Sequence, residues 1–182
     1  MNKIVSFGLL IFLIPLIFVI SISIFISSGL PIIHWSKRVG QENKLFLMPK
    51  FRTMHANTPQ KATHLMKGEK KHITFIGQLL RKGSLDEIPQ LYSVISGKMN
   101  FIGPRPALFN QIDLVTLRTK SNIHLQKPGI TGWAQVNGRD NLSIKEKVDA
   151  EKYYLENRSL ALDLKIFFLT ILKIFKISNI SH

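Results

Sequence analysis

The sequence contains no cysteine. Disulfides, thiolate metal sites and thiol nucleophiles are therefore all excluded. A chain of 182 residues is nevertheless long enough to bury a core without such cross-links. We expect one globular domain together with a membrane anchor.

Acidic side chains are also scarce, since 11 Asp and Glu residues face 25 Lys and Arg residues. All the basic residues except Lys3 lie after the apolar N-terminus. A strongly positive chain favours phosphate-rich partners, namely nucleic acid, anionic lipid headgroups or nucleotides. Charge alone does not choose among them.

Residues 4–33 carry no charged side chain of either sign. About 20 consecutive apolar residues suffice to cross the hydrocarbon core of a bilayer, so we expect this segment to enter a membrane. A cleaved signal peptide is the alternative, but its apolar region typically covers only about 7–15 residues. Ser27, Ser28 and Gly29 would also form a poor cleavage site.

Pro15 lies near the middle of this apolar run. Proline removes one backbone hydrogen bond and clashes with the carbonyl four residues earlier, so we expect a kink. Two topologies are compatible with a kink, a bent transmembrane helix and a re-entrant helix that returns to the same face. The residues alone favour the transmembrane helix, and the basic remainder favours a domain on the cytoplasmic face.

A second membrane signal lies at residues 160–176. Lys165, Lys173 and Lys176 fall on one side of a helix at roughly 100° per residue, while Leu, Ile and Phe cover the rest. This pattern predicts an amphipathic helix in the membrane interface. A core helix of the soluble domain has the same pattern and is the alternative.

Between these apolar ends we expect short elements separated by turns. Leu45, Phe46 and Leu47 predict a strand that ends at Pro49. The other predictions are a helix capped by Thr74 and ended by Gly83, a helix over residues 85–96 with Ile88, Leu91, Tyr92 and Ile95 on one face, a rigid non-helical segment at 101–106, a turn-rich segment at 127–138 and a helix over 144–156.

Asp86 and Glu87 form an adjacent carboxylate pair at the start of one of these helices. Ser84, three residues before Glu87, matches a capping box, so helix capping alone would account for both carboxylates. Pro89 disfavours that interpretation, because it would lie inside the first turns of a helix capped by Ser84.

The surroundings of the pair favour chemistry. Between residues 61 and 105 the only other acidic residue is Glu69, whereas eight residues are Lys or Arg. A carboxylate in such a field stays ionised, supported by the helix dipole, and can act as a nucleophile. Mg²⁺ prefers one or two carboxylates together with phosphate oxygens, so the pair also suits a magnesium site.

Two arginines are candidates for phosphate binding. Arg105 lies between two prolines, and this stiff mount suits bidentate contact with phosphate oxygens. Arg139 follows the turn-like Asn137-Gly138. Both are equally compatible with arginines exposed in turns.

Several segments together resemble the bacterial sugar transferase family, the monotopic phosphoglycosyl transferases that start surface glycan assembly on polyprenol phosphate. These motifs, in this order, span nearly the whole chain after the anchor. They are PKFRTM at 49–54, Arg81, SLDEIPQ at 84–90, GPRP at 103–106, KPGITGWAQVNGRD at 127–140 and DLK at 163–165.

The resemblance implies a reaction and a role for each matching residue. Asp86 would attack the sugar-bearing phosphorus of a UDP-sugar and expel UMP, and Glu87 would complete the dyad. Both would hold Mg²⁺. Polyprenol phosphate would then take the phosphosugar in a second, ping-pong half-reaction. The residues expected to bind phosphates or the nucleotide are Lys50, Arg52, Arg81, Arg105 and Arg139.

The resemblance also implies an architecture. It predicts a mostly helical α+β fold, with a re-entrant membrane helix broken at Pro15 within residues 1–35 and a catalytic domain over residues 36–182, on the cytoplasmic face of a bacterial inner membrane. The lack of a multi-helix N-terminal domain indicates the small class, which often uses UDP-linked N-acetylated or 6-deoxy amino sugars. No nucleic acid is expected as a partner, and a homodimer is left open.

Two other functions fit parts of the sequence. A membrane-anchored protein that binds nucleic acid or anionic lipid would explain the charge, and its binding would weaken steeply with salt and be indifferent to Asp86→Ala. A catalytically inactive relative that serves as a scaffold is the second, and the intact motifs argue against it.

Overall fold

The computed structural model describes residues 2–55, 58, 72–138 and 141–178. Within these ranges the expected mostly helical α+β fold is confirmed. The helices are α1 (Asn2–Phe12), α2 (Ile14–Ser28), α3 (Phe75–Lys82), α4 (Leu91–Ile95), α5 (Ile112–Lys120), α6 (Trp133–Asn137), α7 (Ile144–Glu156) and α8 (Leu160–Ser178). The strands are β1 (Ile33–Val39), β2 (Leu45–Phe51), β3 (Asn100–Ile102), β4 (Ala107–Leu108) and β5 (Gly129–Thr131), and short 3₁₀ helices lie at Gln41–Asn43, Leu85–Gln90 and Ile123–Leu125.

The two apolar N-terminal helices meet at a sharp bend. Helices α1 and α2 are inclined by 62° to each other, and Pro15 lies in the first turn of α2, where its missing N–H is tolerated. The predicted kink is thus confirmed. Across the described ranges, no single helix is both long and apolar enough to cross a bilayer, and the bent pair meets that test only when its two helices are taken together.

Strand β1 lies at the centre of a three-stranded sheet, antiparallel to β2 on one side and to β4 on the other. The prediction that Pro49 ends the strand at 45–47 is wrong, because β2 continues to Phe51. Proline is tolerated there since β2 is an edge strand, which has no neighbour on its outer side. Lys50 consequently lies within β2, in register with His34 of β1.

Helix α2 packs directly against the segment that carries the carboxylate pair. Ile20 and Ile24 of α2 are buried in a cluster with residues of β2 and α3. Leu85 and Ile88, which flank the two carboxylates, pack against the same cluster. The apolar N-terminus is therefore part of the fold that supports the site.

Most of the predicted helices are present. Helix α3 is capped by the Thr74 hydroxyl, which accepts a hydrogen bond from the Gly77 amide at 2.9 Å, and it ends before Gly83. The helix predicted over 144–156 is α7, and the helix predicted over 160–176 is α8.

Three local predictions need correction. The segment at 85–96 is a 3₁₀ helix followed by α4, because Pro89 interrupts the α-helical hydrogen bonding. Tyr92 does not share the buried face of Leu91: it is exposed, and its ring packs edge-on against Trp35 with the centroids 6.2 Å apart. The turn-rich segment at 127–138 contains β5 and α6, and α5 has no counterpart among the predictions.

A bidentate ion pair joins α5 to α7 in the interior. Arg118 donates through Nε to Oε2 of Glu151 at 2.7 Å and through Nη2 to Oε1. Both side chains are buried. Removal of one member would leave an uncompensated charge inside the protein.

We predict that Glu151→Leu or Arg118→Met alone lowers the free energy of unfolding by about 3–5 kcal/mol, whereas the double substitution recovers most of that loss. Chemical unfolding of the purified protein in detergent measures all three variants. Lys152→Met is the control, since Lys152 pairs with Glu156 at the surface at 3.7 Å and should contribute less than about 0.5 kcal/mol. Equal losses in the single and double variants would contradict the prediction.

Candidate active site

The carboxylate pair lies in the 3₁₀ helix Leu85–Gln90 and caps no helix. Ser84 has a left-handed backbone conformation with φ of 54°, and its side chain makes no capping hydrogen bond. The Glu87 amide instead donates to the Ser84 carbonyl at 3.2 Å. Because the capping box is not formed, helix capping does not explain why two carboxylates stand here.

Glu87 is held by two cations. Its Oε1 accepts hydrogen bonds from Lys50 Nζ at 2.7 Å and from Arg105 Nη2 at 3.0 Å. The side chains of Lys50 and Glu87 are only 16% and 12% exposed, so water screens their contact weakly. Burial would raise the pKa of Glu87, but Arg105 and Lys50 outweigh it and hold the pKa well below its ordinary value. Glu87 is therefore a fixed negative charge.

The side chain of Asp86 is as little exposed as that of Glu87, at 12%, but it makes fewer polar contacts with the described residues. Its Oδ2 lies 3.9 Å from Lys50 Nζ, and in the described part of the chain no donor gives it a hydrogen bond. Burial raises the pKa of Asp86, although Lys50 opposes this and Glu87 reinforces it. The sequence led us to expect that cations would dominate at both carboxylates, and at Asp86 burial dominates. With respect to the described residues, its oxygens are available to attack an electrophile.

The segment that carries Arg105 is hydrogen-bonded to strand β5. The Gly103 amide donates to the Thr131 carbonyl at 2.9 Å, and the Gly129 amide donates to the Pro104 carbonyl at 2.9 Å. A side chain does not fit at Gly129, where a Cβ would lie 2.2 Å from the Gly103 nitrogen. The non-helical segment predicted at 101–106 is confirmed, and it carries Arg105 to the carboxylate pair.

Arg81, another predicted phosphate ligand, stands at the edge of the site. Its Nε donates to Thr53 Oγ1 at 2.9 Å. Its charge also lowers the pKa of Asp86, which places it within electrostatic range of that carboxylate. The structure thus brings Arg81, Lys50 and Arg105 together around the pair.

Arg52 lies apart from these residues. Its Nη2 donates to the carbonyl oxygens of Ser28 at 2.5 Å and Gly29 at 2.6 Å, so it binds the C-terminal end of α2. None of its contacts with described residues is to a carboxylate. Arg139 falls outside the ranges that the structure describes.

Two basic residues of β1 extend the site and were not identified from the sequence. His34 is in register with Lys50, and burial, Arg38 and Lys50 all lower the pKa of His34. Burial lowers the pKa of Arg38 to about 10, and Arg105 acts in the same direction. Their spacing of four along a strand, which puts both side chains on one face, is the signal that could have identified them.

The donor set around the pair fits one hard cation that is shared with a phosphate. Among the residues that the structure describes, no group of three or more His, Asp or Glu could enclose a metal without other ligands. Asp86 and Glu87 supply two carboxylates, and Mg²⁺ commonly binds one or two carboxylates together with substrate phosphates and water. The oxygens of Asp86, which accept no hydrogen bond from the described residues, are suited to such a cation.

Comparison with known proteins identifies relatives along almost the whole chain. The model of the family described as bacterial sugar transferase matches residues 1–177. A Bacillus subtilis protein named as the uncharacterized sugar transferase EpsL is 40% identical over 146 residues, which cover 80% of this chain and 71% of that protein.

Two relatives have more specific names. A UDP-glucose:undecaprenyl-phosphate glucose-1-phosphate transferase of Xanthomonas campestris is 36% identical over 185 residues, covering 95% of this chain and 37% of the relative. A UDP-N-acetylgalactosamine-undecaprenyl-phosphate N-acetylgalactosaminephosphotransferase of Aeromonas hydrophila is 34% identical over 162 residues, with coverages of 86% and 38%. The match thus spans little more than a third of the length of these two proteins.

We predict opposite effects of neutralising the two carboxylates on stability. Glu87→Gln leaves Lys50 and Arg105 without their counter-charge and should cost about 3 kcal/mol, whereas Asp86→Asn should be neutral or stabilising. The lowered pKa of Glu87 means that its contribution is present above its ordinary value of 4.5 and is lost as pH falls below it. The raised pKa of Asp86 means that its ionisation destabilises the fold as pH rises above 3.8.

Thermal unfolding in detergent at about pH 4 and about pH 7 measures both effects. The advantage of Asp86→Asn over the wild-type protein should be larger at the higher pH. A destabilised Asp86→Asn variant at neutral pH would contradict the electrostatic assignment.

Proposed function

This chain belongs to the bacterial sugar transferase family, and on that premise we propose that it transfers a sugar 1-phosphate from a UDP-sugar to polyprenol phosphate and releases UMP. The observation that carries the proposal is a shielded Asp86, which accepts no hydrogen bond from the described residues, beside a Glu87 that forms ion pairs with two cations. Such a reaction would be the first membrane step in the assembly of a surface glycan.

Asp86 is the nucleophile in this proposal. One of its oxygens attacks the phosphorus that bears the sugar, the bond from that phosphorus to UMP breaks, and UMP leaves with the bonding electrons. The product is an acyl phosphate between Asp86 and the sugar. A phosphate oxygen of polyprenol phosphate then attacks the same phosphorus, and the carboxylate of Asp86 is released unchanged.

Glu87 is poorly suited to the attack itself. Its Oε1 already accepts two charge-assisted hydrogen bonds, which lower the energy of its lone pairs. Its role is to hold Lys50 and Arg105 against the pair. The two adjacent carboxylates thereby take different tasks.

Four basic residues of the described chain lie within electrostatic range of the carboxylate pair. Lys50, Arg81 and Arg105 all act on Asp86, and Arg38 acts on Glu87. In this proposal the diphosphate of a UDP-sugar binds among them. Fixed cations also stabilise the charge that develops on the departing UMP phosphate. Mg²⁺ held by Asp86 and Glu87 would add further neutralisation of the phosphate oxygens.

The contacts of the bent N-terminal pair support a re-entrant topology. At the start of α1, Asn2 Nδ2 donates to Asn100 Oδ1 at 3.4 Å. At the end of α2, Arg52 binds the carbonyls of Ser28 and Gly29. Both ends therefore touch the same folded domain, which a chain that crossed the bilayer once could not achieve, since its two ends would lie on opposite faces.

The dimensions of the pair agree with this topology. Helices of 11 and 15 residues are about 16 and 22 Å long. With a bend of 62° and both ends at the surface, the apex would reach about 10 Å deep, well short of a hydrocarbon core of about 30 Å. The carboxylate pair, which rests on α2 through Leu85 and Ile88, would then lie at the depth of lipid phosphates.

Helix α8 supplies a second surface for the membrane in this proposal. Its Ile166 is fully buried against Val136 and Tyr154, and Lys173 Nζ donates to the Gln135 carbonyl at 3.3 Å. Phe168 and Leu172 are instead more than 60% exposed. One side of α8 thus packs on the core, as the core-helix interpretation expects, and the exposed apolar side chains support the proposal that another side lies in the membrane interface.

The placement of the basic residues disfavours the rival function of nucleic-acid binding. Proteins that bind nucleic acid through charge alone place their Lys and Arg on an accessible face. Here Lys50 and Arg105 point inward at two carboxylates. That arrangement suits a small phosphorylated substrate better than a long polyanion.

We predict that purified wild-type protein in detergent, with Mg²⁺ and polyprenol phosphate, releases UMP from at least one donor in a panel that includes UDP-glucose and UDP-N-acetylgalactosamine. Asp86→Asn should lower that rate about a thousandfold or more, and Glu87→Gln about a hundredfold through misplaced cations. Chelation of divalent cations should stop turnover. Glu156→Gln at the surface is the matched control. Wild-type turnover by Asp86→Asn would exclude this mechanism.

We also predict the accessibility of single cysteines in the cysteine-free chain. Lys3→Cys and Leu30→Cys, at the two ends of the bent pair, should both react with a membrane-impermeant maleimide in inside-out vesicles and not in intact spheroplasts. Phe12→Cys, at the bend, should react only after detergent is added. Labelling of either end from outside spheroplasts would show a spanning helix and contradict the re-entrant topology.

A further inference from the structure

We propose that Arg38 is a positioning residue that holds Arg105 in place to bind phosphate. The inference rests on the proposed function, in which Arg105 is a phosphate ligand. Arg38 lies in the central strand β1 and belongs to none of the motifs that carry the family resemblance.

The first part of this role is a backbone contact. Arg38 Nη1 donates to the Pro106 carbonyl at 3.2 Å, directly after Arg105 in the chain. Its Nε donates to Ser36 Oγ at 3.0 Å, and Ser36 is itself buried in the same strand. The guanidinium thus fastens the segment that carries Arg105 to the middle of the sheet.

The second part is repulsion between two cations. Arg38 and Arg105 are close enough for each charge to act on the other, since Arg105 lowers the pKa of Arg38 while Glu87 raises it. Arg38 therefore draws the backbone of Arg105 towards β1 and disfavours an inward turn of the Arg105 head. Arg105 Nη2 lies 3.0 Å from Glu87 Oε1, on the side of the carboxylate pair.

The geometry explains why two anchors are present on this segment. On one side, Gly129 donates to the Pro104 carbonyl at 2.9 Å, and on the other side Arg38 donates to Pro106. Arg105 stands between the two bonds. Without the Arg38 bond, that flank would be held only from Ala107 onward, by the pairing of β4 with β1. Arg105 would then have a wider range of orientations, which reduces its contribution to phosphate binding.

A double-mutant cycle tests the inference. Arg38→Met, Arg105→Lys and the double variant are compared by kcat/KM for UMP release and by the affinity for inorganic pyrophosphate. If Arg38 acts through Arg105, Arg38→Met should cost about 10- to 100-fold alone and less than about threefold in the Arg105→Lys background. Arg38→Lys keeps the charge without the two-point contact and should remain impaired, and Ser36→Ala should cost about two- to fivefold.

Lys37→Met is the matched control, because Lys37 lies on the opposite face of β1, over the Phe109 ring at 5.7 Å. It should change neither measurement. Additive losses in the cycle, or full activity of Arg38→Lys, would overturn the inference while leaving the proposed function intact. If wild-type protein releases no UMP with any donor, the proposed function fails. The double-mutant cycle measured by pyrophosphate affinity then decides the role of Arg38 by itself. A wild-type protein that does not bind pyrophosphate either would exclude both.

Discussion

The two hydrogen bonds to Oε1 of Glu87 are the interaction on which the site depends. Lys50 comes from an edge strand and Arg105 from a proline-flanked loop, and a single buried oxygen holds both ammonium and guanidinium groups in place. Burial of so many charges is costly unless each is paired. Glu87 takes these two hydrogen bonds, whereas Asp86 accepts none from the residues that the structure describes.

The supporting fold serves that division of roles. The three-stranded sheet presents Lys50 from β2 and Arg38 from β1, while the close approach at Gly129 fixes the loop that carries Arg105. The 3₁₀ helix that carries the carboxylates rests on the apolar helix α2. In the proposed function, recognition of phosphate and position relative to the membrane would therefore both depend on the same small core.

The sequence predicts those features that depend on local chemistry. The break at Pro15, the helices α3, α7 and α8, and the carboxylate pair all follow from patterns within a few residues. The sequence does not reveal that Glu87 pairs with Lys50. That contact forms because the edge strand β2 continues through Pro49 to Phe51, which the sequence pattern does not predict. Arg52 and Arg38 illustrate the same limit: Arg52, inside a matching motif, binds the end of α2, whereas Arg38, outside every motif, lies at the site. Side chains that meet across distant segments are determined by packing, which periodicity does not encode.

The central claim is that Asp86 becomes covalently bound to a phosphosugar, and intact-protein mass spectrometry tests it most directly. Wild-type protein is mixed with Mg²⁺ and a UDP-sugar that it consumes, in the absence of polyprenol phosphate, and is quenched in acid. The account predicts a mass increase equal to one phosphosugar, located on the peptide that contains Asp86 and removed when polyprenol phosphate is added before the quench. Release of UMP only when polyprenol phosphate is present, with no adduct on the protein, would contradict it.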